Sequence, residues 1–210
     1  MNRLKKSLIS MVLGAALIGS TGFAGVTAAE SGSNYTVQYG DTMWKIADHY
    51  QVGISEMIHA NPQISNPSMI NQGQVLNIPN IDTTRQFENR VIELTNIERA
   101  KEGLPALKGN WELSRIARVK SQDMIDHNYF DHQSPTYGSP FDMMKSFGIP
   151  FSYAGENIAA GQRTPEEVVN GWMNSPGHRA NIMNPNYTQI GVGLAKGGSY
   201  GFYWTQQFIQ

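Results

Sequence analysis

Apolar positions along this chain follow two periods, every second residue in some stretches and every third or fourth in others, and the switches between them mark out elements. Tyr35-Thr36-Val37 is a short β-branched and aromatic run, and Gln74-Val75-Leu76-Asn77-Ile78 alternates as a strand does. Between them Gly40-Asp41-Thr42 supplies a turn and an N-cap. Trp44, Ala47 and Tyr50 then recur at helical spacing, and Gly53 is placed to end that helix. Ser55 is expected to cap a second short helix holding Met57 and Ile58, which Asn61-Pro62 stops. The pattern predicts a βααβ unit over 34–79, and the polar stretch 80–85 reads as a linker.

The remainder, 86–210, predicts four helices and then strands. Phe87, Val91, Leu94 and Ile97 share one helical face that closes near Gly103; Leu113, Ile116, Ala117 and Met124 share another, from about Trp111 to Asp126. Ser139-Pro140 opens a third helix ending at Gly148. Thr164-Pro165-Glu166-Glu167 opens a fourth, with Glu167 where a capping box needs it. Ile190 to Leu194 and Tyr200 to Phe208 read as strands joined by the turn Lys196-Gly197-Gly198-Ser199. Helices followed by strands give an α+β domain with helices on a mostly antiparallel sheet.

The start of the chain changes the cellular picture. Arg3, Lys5 and Lys6 precede an apolar run from Leu8 to Ile18, and Val26-Thr27-Ala28-Ala29 offers small residues for cleavage, so 1–29 reads as a secretory signal peptide. No later stretch is apolar enough to span a bilayer, and the exported protein is expected to have no transmembrane segment. With no cysteine, the fold is held by packing, without disulfides, thiolate metal sites or a cysteine nucleophile. Losing three basic residues with the signal takes the net charge from −1 to −4, which excludes the basic excess of a nucleic-acid binder.

Over its full length the first unit, YTVQYGDTMWKIADHYQVGISEMIHANPQI and NQGQVLNIP, resembles a LysM domain. The resemblance implies a βααβ fold that holds N-acetylglucosamine-containing glycan, peptidoglycan or a chitin-like polymer, in a shallow groove. By position that groove is lined by Gly40, Asp41, Thr42 and Met43 on one side and by Asn66, Pro67 and Ile70 on the other. Glycine lets a sugar approach the backbone, and turn and helix-start amides offer donors to N-acetyl carbonyls. A single such module is expected to bind weakly. Individually, Asp41 is explained by capping and Trp44 by filling a small core.

Four segments of the second region resemble the CAP superfamily in its cysteine-free, SCP-like (pathogenesis-related-1-like) form, of the YkwD type found in spore-forming bacteria. They are Tyr129-Phe130-Asp131-His132, Gly155-Glu156-Asn157-Ile158-Ala159, the run Trp172 to Arg179 with Asn181-Ile182-Met183, and Gly191-Val192-Gly193. The resemblance implies an α-β-α sandwich with a cleft where His132, Glu156 and His178 converge. Ser175 stands where many members carry a second glutamate. Two imidazoles and a carboxylate are a ligand set for zinc or another divalent metal, with Glu156 the candidate base should a metal-bound water react. A hydrogen-bonded structural cluster is the alternative. Glu167 is explained by its cap, Asp131 is expected to point away from His132, and His49 and His59 are expected at the surface.

Gly197-Gly198-Ser199-Tyr200-Gly201 fits G-x-S-x-G, but it joins two strands, where a nucleophile elbow needs strand, turn and helix. These features together imply a secreted cell-wall or spore-envelope protein that binds glycan through LysM and offers the CAP cleft to another ligand, lipid, peptide or wall fragment. A metal-dependent hydrolase and a structural envelope component are the alternatives.

Overall fold

The computed structural model describes residues 32–210, so the expected signal peptide lies outside the described residues. The first module is β1 (Ser33–Thr36), α1 (Met43–His49), α2 (Ile54–His59) and β2 (Val75–Ile78), with β1 and β2 antiparallel in register Ser33 to Ile78 through Thr36 to Val75. Its core is Val37, Met43, Ile46, Ala47, Val52, Met57, Leu76 and Ile78. Thr42 caps α1 by accepting from Lys45 N at 3.2 Å.

Three local expectations are corrected here. Trp44 is not a core residue: it is 65% exposed, because the buried face of α1 runs through Met43, Ile46 and Ala47. Helix α1 stops at Tyr50, with Gln51 in the left-handed region (φ 53°), and Gly53 is instead the N-cap of α2. Ser55 caps nothing, because its hydroxyl donates to Glu56 and accepts from Arg115 Nη2.

The expected linker is also different. Helix α3 (Asp82–Lys101) begins inside it, and Arg85 donates to the carbonyls of Tyr50 and Gln51, so that the stretch is structured by contacts to the first module. There follow β3 (Lys108–Gly109), α4 (Trp111–Asp126), α5 (Pro140–Ser146), β4 (Ala154–Ala160), α6 (Pro165–Met173), α7 (Pro176–Ile182), β5 (Gln189–Gly197) and β6 (Gly201–Ile209). The sheet order is β3-β5-β6-β4, antiparallel except for the short β3–β5 pair.

Strand alternation assigns the two faces. Ile190, Val192, Leu194, Trp204 and Phe208 pack under α3, α6 and α7 through Val91, Val168, Trp172 and Ile182. The opposite face meets α4 and α5 through Leu113, Ile116, Met143, Met144 and Ile209. The result is the expected α-β-α sandwich. Gly191 and Gly193 alternate with Val192 on the α4 side, and a methyl at either would overlap the α4 backbone, at Leu113 and Ser114 or at Ala117 and Arg118. Helix α4 lies directly on the strand because those side chains are missing.

The buried stripe of α3 is Glu88, Val91, Thr95 and Arg99, whereas the expected Ile97 is 43% exposed. Each polar member is paired: Glu88 with Arg118 and Leu194 N, Thr95 with Gln206, and Arg99 with the carbonyls of Pro105, Ile182 and Asn184. Both later caps form, Ser139 with a full capping box and Thr164 with Glu167 N; the Glu167 carboxylate reaches back to Arg163 N instead of to the cap residue itself. Among the described residues no helix is long and apolar enough to cross a membrane.

Candidate functional site

At the end of the β1–β2 ladder, Val37 exchanges hydrogen bonds with Gln74 and Gly73, which sets the 38–42 turn beside the loop that leads into β2. Gly40 turns with φ 84° and is exposed. The Asp41 carboxylate is spent within its own turn, accepting from Tyr35 Oη and Gln38 N at 2.7 Å each, which holds its pKa below the usual carboxylate value. Met43 and Ile70 pack into or against the module core, and Asn66 accepts from Ser68 N to close its own turn, beside the half-buried Pro67. What these two loops leave for a ligand is backbone together with the exposed side chains of Tyr39 and Met69.

The second cluster sits at the edge strand β4. Glu156 enters from β4 with only 2% of its side chain exposed, accepting from His132 Nδ1 at 2.8 Å and from Gln207 Nε2 at 3.0 Å. A carboxylate acceptor requires the proton on Nδ1, which fixes the tautomer of the neutral His132 ring with Nε2 unprotonated. His178 arrives from α7, which is tied to β4 by three hydrogen bonds from side-chain amides: Asn157 Nδ2 to the His178 carbonyl, and Asn181 Nδ2 to Asn157 Oδ1 and to the Glu156 carbonyl. The Trp172 indole donates to the Ile158 carbonyl and ties α6 to the same strand. Beside His178 lies a cavity of about 280 Å³ lined by Phe130, Ile158, Ala160, Trp172 and Ser175.

The three predicted residues thus share one edge of the sheet, but not as three open ligands. Both Glu156 oxygens are already engaged, and among the described residues no group of three His, Asp or Glu side chains is disposed to hold a metal ion. The residues as arranged do not fit a three-ligand zinc centre. The Asp131 carboxylate closes a turn onto Gln133 N; Glu166 pairs with Arg90; His49 and His59 are exposed.

Two residues that the sequence reading passed over hold His132 in place. Lys120 is 1% exposed and gives its ammonium protons to Tyr129 Oη, the Asp131 carbonyl and the His132 carbonyl at 2.8–3.0 Å. One turn along α4, the Asp123 carboxylate accepts from the Tyr129, Ser134 and Thr136 hydroxyls and lies 2.9 Å from His127 Nδ1. A lysine and an aspartate on the buried side of an otherwise amphipathic helix were the available signal, since such residues are rarely buried without a task.

Electrostatics separate the two histidines. The hydrogen bond to Glu156 raises the His132 pKa above 6.5 against the opposing effect of burial, whereas burial first and the nearby His132 second push His178 below 6.5. NMR titration of the imidazole protons is expected to give His132 the higher midpoint, and Glu156→Gln to lower it. The stability supplied by the charged His132–Glu156 pair is fully present below pH 6.5 and is lost as pH rises through the raised pKa. Equal midpoints for the two rings would contradict the assigned pairing.

Comparison with known proteins decides the family. The cysteine-rich secretory protein family, CAP, matches residues 92–208, and the LysM domain matches 35–79. This chain belongs to the CAP family. Over 123 residues it is 68% identical to the uncharacterized protein YkwD of Bacillus subtilis, covering 59% of this chain and 47% of YkwD. Over 45 residues, 21% of this chain and 12% of the relative, it is 42% identical to SpoIVD-associated factor A of the same organism. The crystal structure of an extracellular protein containing a SCP domain from Bacillus anthracis superposes with a TM-score of 0.55 at 38% identity, covering 66% of this chain and 47% of that one. The matches span less than half the length of these relatives.

Proposed function

We propose that this CAP-family chain is an exported, wall-associated binding protein. Its LysM module, 34–79, holds N-acetylglucosamine-containing glycan between the Gly40–Met43 turn and the Asn66–Ile70 loop. Its CAP domain, from 86 onward, presents the His132–His178 edge to a second ligand. The observation that carries the reading is the LysM match over 35–79 on a module that sets the Gly40–Met43 turn beside the loop leading into β2.

The B. anthracis relative is described as extracellular, which supports export to the cell wall or a spore envelope. At the CAP edge, the cavity lined by Phe130, Ile158 and Trp172 suits a ligand with an apolar part, lipid or peptide, while His178 supplies a polar contact in its wall. Glu156 acts there by orienting His132.

Co-sedimentation with purified peptidoglycan tests the reading. The full chain is expected to pellet with the polymer, and the chain lacking 34–79 to remain in the supernatant. Equal pelleting of both would sink the LysM assignment.

A further inference from the structure

A cavity of about 160 Å³ lies on the seam between the two modules, with Trp44, Asp48 and Ile54 on the LysM side and Trp111, Glu112 and Arg115 on the CAP side. Side chains from both modules meet across the seam. Arg115 donates to Ser55 Oγ at 2.9 Å, faces Glu56, and stacks over the Phe147 ring; Gly53 packs against its guanidinium where a side chain would collide. Arg85 ties α3 to the α1–α2 turn from the other side.

We infer that this seam is an additional sugar subsite, occupied by one ring of the same glycan strand that the LysM loops hold, an inference that rests on the glycan reading above. Four observations support it. Trp44 lies off the buried face of α1 and leaves 65% of its surface to solvent, so its indole is open to a ligand. A second indole, Trp111, lines the same space. Indole faces accept the C–H face of a pyranose, and the carboxylates of Asp48 and Glu112 around them are acceptors for its hydroxyls. The volume admits a single ring and is small for a drug-sized or acyl ligand.

Position supplies the connection. Trp44 directly follows the Gly40–Met43 turn, so a polymer leaving the LysM groove over the start of α1 meets this indole next. Two subsites on one polymer raise the effective concentration of the second contact and offset the weakness of a single LysM groove. They also fix the orientation of the CAP domain on the strand.

The test uses the full chain, chitooligosaccharides of dimer and pentamer length, and iodide quenching of tryptophan fluorescence. Trp172 and Trp204 are fully buried, so iodide reports on Trp44 and Trp111. The pentamer is expected to shield these indoles and to bind about fivefold to tenfold more tightly than the dimer, the scale of one aromatic contact. Trp111→Ala, and independently Trp44→Ala, whose exposed side chain can be removed without opening a core, are expected to erase that gain. A full gain retained in both variants, or quenching unchanged at saturating pentamer, overturns the subsite. So does shielding by wall stem peptide in place of glycan. Dimer binding with no gain for the pentamer removes only the seam, whereas no binding of either oligomer removes the LysM reading as well.

Discussion

Gly193→Ala is expected to cost the CAP domain about 3 kcal/mol, a large share of the stability of an ordinary domain. The added methyl overlaps the Ala117 carbonyl carbon and the Arg118 nitrogen, both backbone atoms, so no rotamer change relieves it. Relief requires α4 to lift from β5, and with it the contacts of Leu113 and Ile116 and the two residues that anchor the His132 loop. Gly177→Ala is the control, because nothing stands within 4 Å of the position a methyl would take on α7. That substitution is expected to be neutral or to gain up to about 1 kcal/mol from helix propensity. Denaturant unfolding of the two variants separates them; a Gly193→Ala protein as stable as Gly177→Ala would mean that the helix does not rest on the strand as described.

Asp123→Ala is expected to be the most damaging single change to the candidate site, at about 3 kcal/mol, because it strands three hydroxyl donors around a buried position. The loss falls on the segment from Tyr129 to Thr136, so hydrogen exchange at His132 and its neighbours is expected to accelerate more than exchange in β6. Asp123→Asn, which keeps an acceptor, is expected to lose less. Burial opposes ionisation of Asp123, yet the hydroxyls of Tyr129, Ser134 and Thr136 and the charge on His127 outweigh it and hold its pKa below 3.8. Its stabilisation is therefore present above pH 3.8 and is lost as pH falls through the depressed pKa, so the loop is expected to loosen in acid before the sheet does. Uniform protection across loop and sheet in Asp123→Ala would contradict the anchoring role.

The parts of this molecule that follow from local rules were legible in the sequence. Helix α4 from Trp111 to Asp126, the caps at Ser139 and Thr164, and the hairpin through Gly197 and Gly198 depend on residues within a few positions of one another. The misplacements share a different cause. Ser55 reads as a cap until Arg115, sixty residues away, claims its hydroxyl; Ile97 reads as core until Glu88, Thr95 and Arg99 find partners that make a polar stripe the buried one. Trp44 reads as core because periodicity cannot separate neighbouring positions on a two-turn helix. At the CAP edge, the motifs identified which residues gather, but not that Glu156 stands behind His132, since that depends on Gln207 from the neighbouring strand.

The claim that the LysM module docks this protein on wall glycan is tested most directly by following backbone amide shifts of the full chain during titration with a soluble N-acetylglucosamine oligomer. The account predicts saturable shifts that cluster in 38–43 and 66–70. No saturable shifts, or shifts confined to the His132–His178 edge, would contradict it.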